Sequence, residues 1–239
     1  LTVHLPSLPW LVPWMARFAR AAWSKVEVRK GIDSFGHLMA EANIAWKAEI
    51  QASGLGELFK TRGALYVYES EAAFADGADE RALQTAKGTV FEIVDGKRAR
   101  EMAPGLSEHF VRGVYYPDGM HTINPYRVVT TLAERFAADG GTVLRGRVRG
   151  FVRDGDRVTA VQITGETLPA KAVVIAAGRA SGELTRLLGF NAPLVAERGY
   201  HVMLAPDNVR FDLPVSPAER GFFITPMEEG LRLAGTVEL

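Results

Sequence analysis

Ala172-Val-Val-Ile-Ala-Ala-Gly178 carries no polar side chain, and its reading decides the fold. A short apolar run closed by glycine suits a strand covered on both faces, as in the layered sheet of an α/β unit. Its small ending, Ala176, Ala177 and Gly178, leaves the backbone approachable at the carboxyl edge of such a sheet, where ligands bind. On pattern alone it fits both a nucleotide site and an ordinary close-packed strand-to-helix turn.

The flanks agree with a strand there. Downstream, Ser181 is placed to cap a helix containing Leu184, Leu187 and Leu188 that Gly189 ends. Upstream, Arg147–Arg153, an Asp154-Gly155 turn, Arg157–Ile163 and a Gly165-Glu166 turn before Leu168 have the spacing of a β-meander. Before it, Asn124-Pro125 opens a helix with Val128, Val129, Leu132 and Phe136, stopped by Gly140-Gly141 and followed by Thr142-Val-Leu144 as a further strand.

Nearer the start, strands are expected at Ala64–Tyr68, Phe91–Val94 and Val114–Tyr116, with a polar helix within residues 69–87. Phe35, Leu38, Met39, Ala42, Trp46 and Ile50 mark a helix from Ser34 to about Ser53, capped by Asp33 or Ser34. The last fifty residues read as strands at 200–204, 222–225 and 231–239, joined by loops around Pro206, Pro214 and Pro217. The fold class is therefore α+β.

Composition narrows the function. The 239 residues hold 28 basic and 28 acidic side chains, five histidines and no cysteine. Disulfides, thiolate metal sites and cysteine nucleophiles are excluded, and a zero formal charge argues against a dedicated nucleic-acid binder. The histidines (4, 37, 109, 121 and 201) have no metal spacing and read as surface or satisfied residues, so no metal is expected. Glu228-Glu229 and Asp79-Glu80 read as solvated acids. Gly54-Leu-Gly-Glu-Leu-Phe59 imitates a dinucleotide fingerprint but follows a helix and has Phe59 at the third glycine position, so it reads as a helix stop. No hydrolytic constellation is present, and no catalytic side chain is assigned.

Trp10, Leu11, Trp14, Met15, Phe18 and Trp23 fall on one helical stripe, and residues 17–30 add Arg17, Arg20, Lys25, Arg29 and Lys30 against Glu27 alone. The stripe reads as a helix packed on the protein or as a peripheral membrane contact through residues 10–23. Leu1 and the alternating pattern that runs to Leu239 without a turn give the expectation of a piece of a longer protein.

The order Asn124-Pro-Tyr-Arg, Gly141–Val148, Val173–Gly178, Glu197-Arg-Gly-Tyr-His201, Ile224-Thr-Pro226 and Leu231–Thr236, with Leu8-Pro-Trp-Leu near the start, resembles the D-amino-acid oxidase superfamily of FAD-dependent oxidoreductases. Within it, the bacterial D-amino-acid dehydrogenases are the most alike. The resemblance implies FAD as cofactor and an amino acid or related amine as substrate, oxidised by hydride transfer to the flavin. It implies a mixed or antiparallel substrate-domain sheet with helices, residues 1–123 and 191–239, around a meander and strand–helix portion of an FAD-binding α/β domain, residues 124–190.

It also implies cofactor contacts at Val148, Ala176, Ala177 and Gly178, and substrate contacts at Tyr200, His201 and Phe223. Phe223 stands where many relatives have a tyrosine for the substrate carboxylate, and Arg179-Ala-Ser181 replaces a common Ala-Trp-Ser. The family's Gly-x-Gly-x-x-Gly turn would precede residue 1, so this piece is expected to hold FAD weakly and to be inactive by itself. A cytoplasmic location follows, with the membrane face as an alternative. Two other functions stay open: a non-catalytic small-molecule binding module, and a partner-docking protein.

Overall fold

The computed structural model describes residues 8–192, 194–206 and 211–238. His4, the first and last residues and the side chain of Trp10, all used above, lie outside what is described. The chain forms two compact units: one from the chain through Arg135 together with Gly199–Glu238, the other from Phe136–Arg198.

In the first unit, α1 (Leu8–Trp23) and α2 (Lys25–Ala52) meet at Ser24, whose hydroxyl accepts a hydrogen bond from the Glu27 amide at 3.3 Å. That cap corrects the expected start at Ser34. Gly31 and Gly36 are open to solvent inside α2, and Asp33, expected as a cap, instead pairs with Lys87. Gly54 ends the helix in a left-handed conformation, as its reading as a stop requires. Leu55 and Leu58 then pack with Val128 beneath Ile50, Phe59 and Leu132.

The next elements are β1 (Phe59–Lys60), β2 (Ala64–Tyr68), α3 (Glu71–Asp76), α4 (Ala78–Ala86), β3 (Glu92–Asp95), α5 (Gly96–Met102), β4 (Arg112–Tyr116), β5 (His121–Thr122) and α6 (Pro125–Ala138). Gly77 splits the expected polar helix into α3 and α4. Asn124 caps α6 as expected, its side-chain oxygen accepting from the Arg127 amide at 3.0 Å.

Phe136–Arg198 contributes β6 (Val148–Asp154), β7 (Arg157–Ile163), β8 (Glu166–Pro169) and α7 (Ser181–Leu187). The chain ends with β9 (Arg198–Leu204), β10 (Val215–Pro217), β11 (Phe223–Met227) and β12 (Gly230–Glu238). Seven strands in the order β3-β4-β2-β10-β11-β12-β9 make the main sheet, and β10 runs parallel to β2. β10 corrects the expectation of a Pro-rich loop: proline is tolerated at a strand end, and Val215 between the prolines is fully buried.

Period-2 alternation sorts the sheet into two faces. Leu65, Val67, Val94 and Val215 point to one and pack with Ala99, Ala103, Phe110 and Leu213. Each Val, Leu and Phe side chain among them contributes about 1.5–3 kcal/mol on burial. α5 reaches this face because Gly96 has no Cβ; one would lie 2.3 Å from the Phe110 carbonyl. Tyr66, Tyr68, Tyr116, Ser216 and Phe223 line the opposite face.

The second unit is the expected meander, with α7 packed against β6. Gly155 and Gly165 take left-handed conformations at its two turns. The run at 172–177 forms no strand, and neither does Thr142–Leu144. Val173 and Ile175 are half-covered while Val174 is 89 % exposed, the alternation of a ribbon covered on one face instead of two. A strand exists through its neighbours' backbone groups, and no described strand lies beside either run.

Candidate functional site

The residues expected to touch cofactor all fall in the second unit. Val148 opens β6, half-buried and paired with Ile163. Ala176 and Ala177 are exposed, and the Ala177 amide donates to the Ser181 hydroxyl at 3.1 Å. Ser181 therefore caps the short turn Gly178–Ala180; it does not sit at the N-cap of α7, which is Ala180. Gly178 has φ +53°, and a Cβ there would meet nothing within 4 Å. Among the described residues nothing crowds Gly178, and the small exposed side chains of Ala176 and Ala177 suit close approach of a flat ligand.

Tyr200, His201 and Phe223 fall in the first unit; His201 and Phe223 line two different cavities, and Tyr200 lines neither of these. The Tyr200 hydroxyl donates to Glu238 at 2.6 Å. His201 and Met203 of β9 line a cavity of about 530 Å³ with Met227, Arg232 and the start of α6. At its rim the Asn124 amide group donates to Glu228 at 2.6 Å, and the Arg127 guanidinium bridges Glu228 and Glu57. Glu228, read as a solvated acid, is in fact the fastening of α6 to the β11–β12 turn.

Phe223 walls a second cavity of about 550 Å³ between the main sheet and α4. Its ring meets Tyr66 edge-to-face at 5.6 Å, and Tyr66 meets Tyr116 the same way at 5.5 Å. The Tyr116 hydroxyl donates to Gln84 at 2.8 Å, and Gln84 donates to Glu80 at 3.3 Å. Burial pushes the Tyr66 and Tyr116 phenols above their ordinary range. Sequence reading missed Tyr66, Tyr116 and Arg81 here, although the alternation Leu65-Tyr66-Val67-Tyr68 already separates a core face from an aromatic one.

Among the histidines, His109 pairs with Glu69 at 3.0 Å, as a satisfied residue should. His121 departs from that expectation: both ring nitrogens are buried without a hydrogen-bond partner. Burial lowers its pKa, against the pull of the Pro226 backbone and Asp212. Among the described residues, no three His, Asp or Glu side chains are grouped to hold a metal, and no helix is long and apolar enough to cross a membrane.

The FAD-dependent oxidoreductase family model, DAO, matches residues 10–239. The whole chain is 26% identical to a D-amino-acid oxidase of Bradyrhizobium diazoefficiens and covers 56% of that protein. Over 183 residues it is 31% identical to a D-amino acid dehydrogenase of Agrobacterium fabrum, covering 74% of this chain and 41% of that one. The chain thus spans about half the length of the curated relatives it matches. A crystal structure of glycine oxidase from Bacillus cereus shares its fold, with a TM-score of 0.73 at 22% identity over 84% of this chain and 56% of that chain. The chain belongs to the DAO family of FAD-dependent oxidoreductases.

Proposed function

We propose that this chain is part of an FAD-dependent enzyme that oxidises an amino acid or related amine, as a D-amino-acid dehydrogenase does. The match to one family model from residue 10 to residue 239 carries the reading. In it, residues 1–123 and 191–239 form the substrate domain and 124–190 belong to the FAD-binding side; a compact unit interrupted by a second one supports that order.

FAD, if bound here, would supply the two-electron acceptor for oxidation at the substrate Cα. Loss of an amine proton leaves an imine, which water hydrolyses. Because hydrogen leaves carbon as hydride, no side chain of this chain acts as a carbon base. Val148 would hold the cofactor through its backbone, and Ala176, Ala177 and Gly178, with their small side chains, would let it lie close to theirs. Phe223 has no hydroxyl for a substrate carboxylate and serves as an apolar wall that excludes water; Tyr200 and His201 supply polar groups on β9.

This chain by itself binds FAD weakly or not at all and is inactive, a reading supported by the unpaired runs 142–147 and 172–177. Titration with FAD, followed by flavin fluorescence, is expected to show no saturable quenching at micromolar concentration; saturation there would overturn it. The longer gene product, as purified, is expected to show flavin absorption, and a colourless preparation that FAD cannot reconstitute would sink the enzyme reading.

A second reading rests on α1, where Phe18 and Trp23 are exposed beside Arg17 and Arg20. It makes α1 a contact for anionic lipid, expected as co-sedimentation with anionic vesicles that salt weakens. Salt-insensitive or absent binding excludes it.

A further inference from the structure

We propose that the groove between the first turns of α2 and α4 binds a free medium-chain monocarboxylate, its chain on an apolar floor and its carboxylate between Lys25 and Arg29. The groove holds about 610 Å³ and lies within the first unit. Residues spaced three and four apart on α2 and four apart on α4 line it, as two helix faces set side by side require. Val28, Ile32 and Leu83 supply the floor, with Ala22 from the end of α1. Val28 stays 42% exposed and Ile32 36%, so the described chain does not fill this floor itself.

The charges on the rim are unevenly satisfied. Lys87, just past the end of α4, pairs with Asp33 and ties the two helices together. Lys25 and Arg29, one turn apart on the same face of α2, form no ion pair among the described residues. Glu27, the only acid among residues 17–30, goes to Lys30 at 3.3 Å. Asp33 gives its carboxylate to Lys87, and Arg29 acts on it only through space. Like charges four apart on a helix repel, and an anion seated between them turns that repulsion into attraction.

The charge count selects the ligand. With Asp33 and Lys87 neutralising each other, Lys25 and Arg29 stand against Asp79 alone on the lining, which leaves one positive charge in excess. A single carboxylate balances it; a dicarboxylate brings a second negative charge toward Asp79, and a quaternary ammonium meets two cations. The floor then decides what the carboxylate is attached to, because each methylene laid on Val28, Ile32 and Leu83 leaves water. No residue of this groove is among the proposed cofactor or substrate contacts.

The test titrates the 239-residue chain, free of FAD, with monomeric decanoate by calorimetry, against octanoate, decan-1-ol and decyltrimethylammonium. Decanoate is expected to saturate with a Kd of about 1 mM or below. Octanoate is expected to bind about tenfold more weakly, since each buried methylene is worth about a factor of four. The alcohol and the ammonium are expected to be at least about fivefold weaker than decanoate. Lys25→Gln and Arg29→Gln are each expected to weaken decanoate about threefold to fivefold, and the double variant at least about tenfold, with unchanged circular dichroism spectra. Ile32→Ser is expected to weaken it about fivefold, whereas Val174→Ser, in the other unit, leaves it unchanged. No saturation by about 10 mM, equal affinity for the alcohol or the ammonium, wild-type affinity in the double variant, or equal losses in Ile32→Ser and Val174→Ser would overturn the proposal. With FAD absent throughout, these outcomes neither need nor test the flavin reading.

Discussion

The two units put similar sequence material to different use. The first surrounds Leu65, Val67, Val114 and Val215 until nothing of them reaches water. In the second, Ala160 is the sole buried residue among those described, while Val143, Val174, Phe190 and Leu194 are exposed. Both contain glycine-punctuated strands and amphipathic helices. What separates them is partnership: β2 is flanked by β4 and β10, whereas 142–147 and 172–177 have no described strand beside them. Apolar sequence makes a core only where a second layer or neighbouring strand meets it, and left bare it forms an adhesive surface.

Hydrogen exchange tests that contrast most severely. Amides bonded within β2 and β4 are expected to exchange at least a thousandfold more slowly than those at 142–147 and 172–177. Comparable protection in the two runs would show that the second unit pairs them. Next in size, Leu65→Ala is expected to cost about 2–5 kcal/mol, and Val174→Ala less than about 0.5 kcal/mol, by denaturant midpoint. Equal costs would erase the distinction.

Acid sharpens the comparison within the first unit. Since burial lowers the His121 pKa, the folded form resists the proton that the unfolded chain accepts. Stability is then intact above the ordinary histidine pKa of about 6.5 and falls as pH drops below it. His121→Leu is expected to flatten that part of the stability profile, and an unchanged slope would remove His121 as its cause. The smallest effect is Arg127→Met, expected to cost about 1 kcal/mol or less because its ion pairs with Glu57 and Glu228 are largely exposed. A drop of several kcal/mol would mean that the α6 fastening is structural.

Periodicity carried the reading of β2, α6, β11, β12 and the meander, whose spacing and glycine turns are local properties. It lost β10, three residues between prolines that become a strand only because β2 and β11 flank them. It also passed over α5, whose Gly-Lys-Arg-Ala-Arg-Glu-Met offers one capping Asp95 and almost no apolar stripe. The run ending at Gly178 was legible as apolar but not as unpaired, since pairing depends on what stands next to it. At the candidate site, Phe223 came from resemblance and does border a pocket. Arg81 carried no signal: in a polar helix it reads as solvated, and only α4 lying over the aromatic face of the sheet buries it.

The parallel pairing of Leu65 with Val215 joins strands that are made early and late on the ribosome. Until Val215 emerges, the edge of β2 that will receive it has nothing to bind, and the whole of Phe136–Arg198 must be synthesised in the interval. Such distant closure makes for slow assembly, with a sticky nascent intermediate that holding chaperones would shelter.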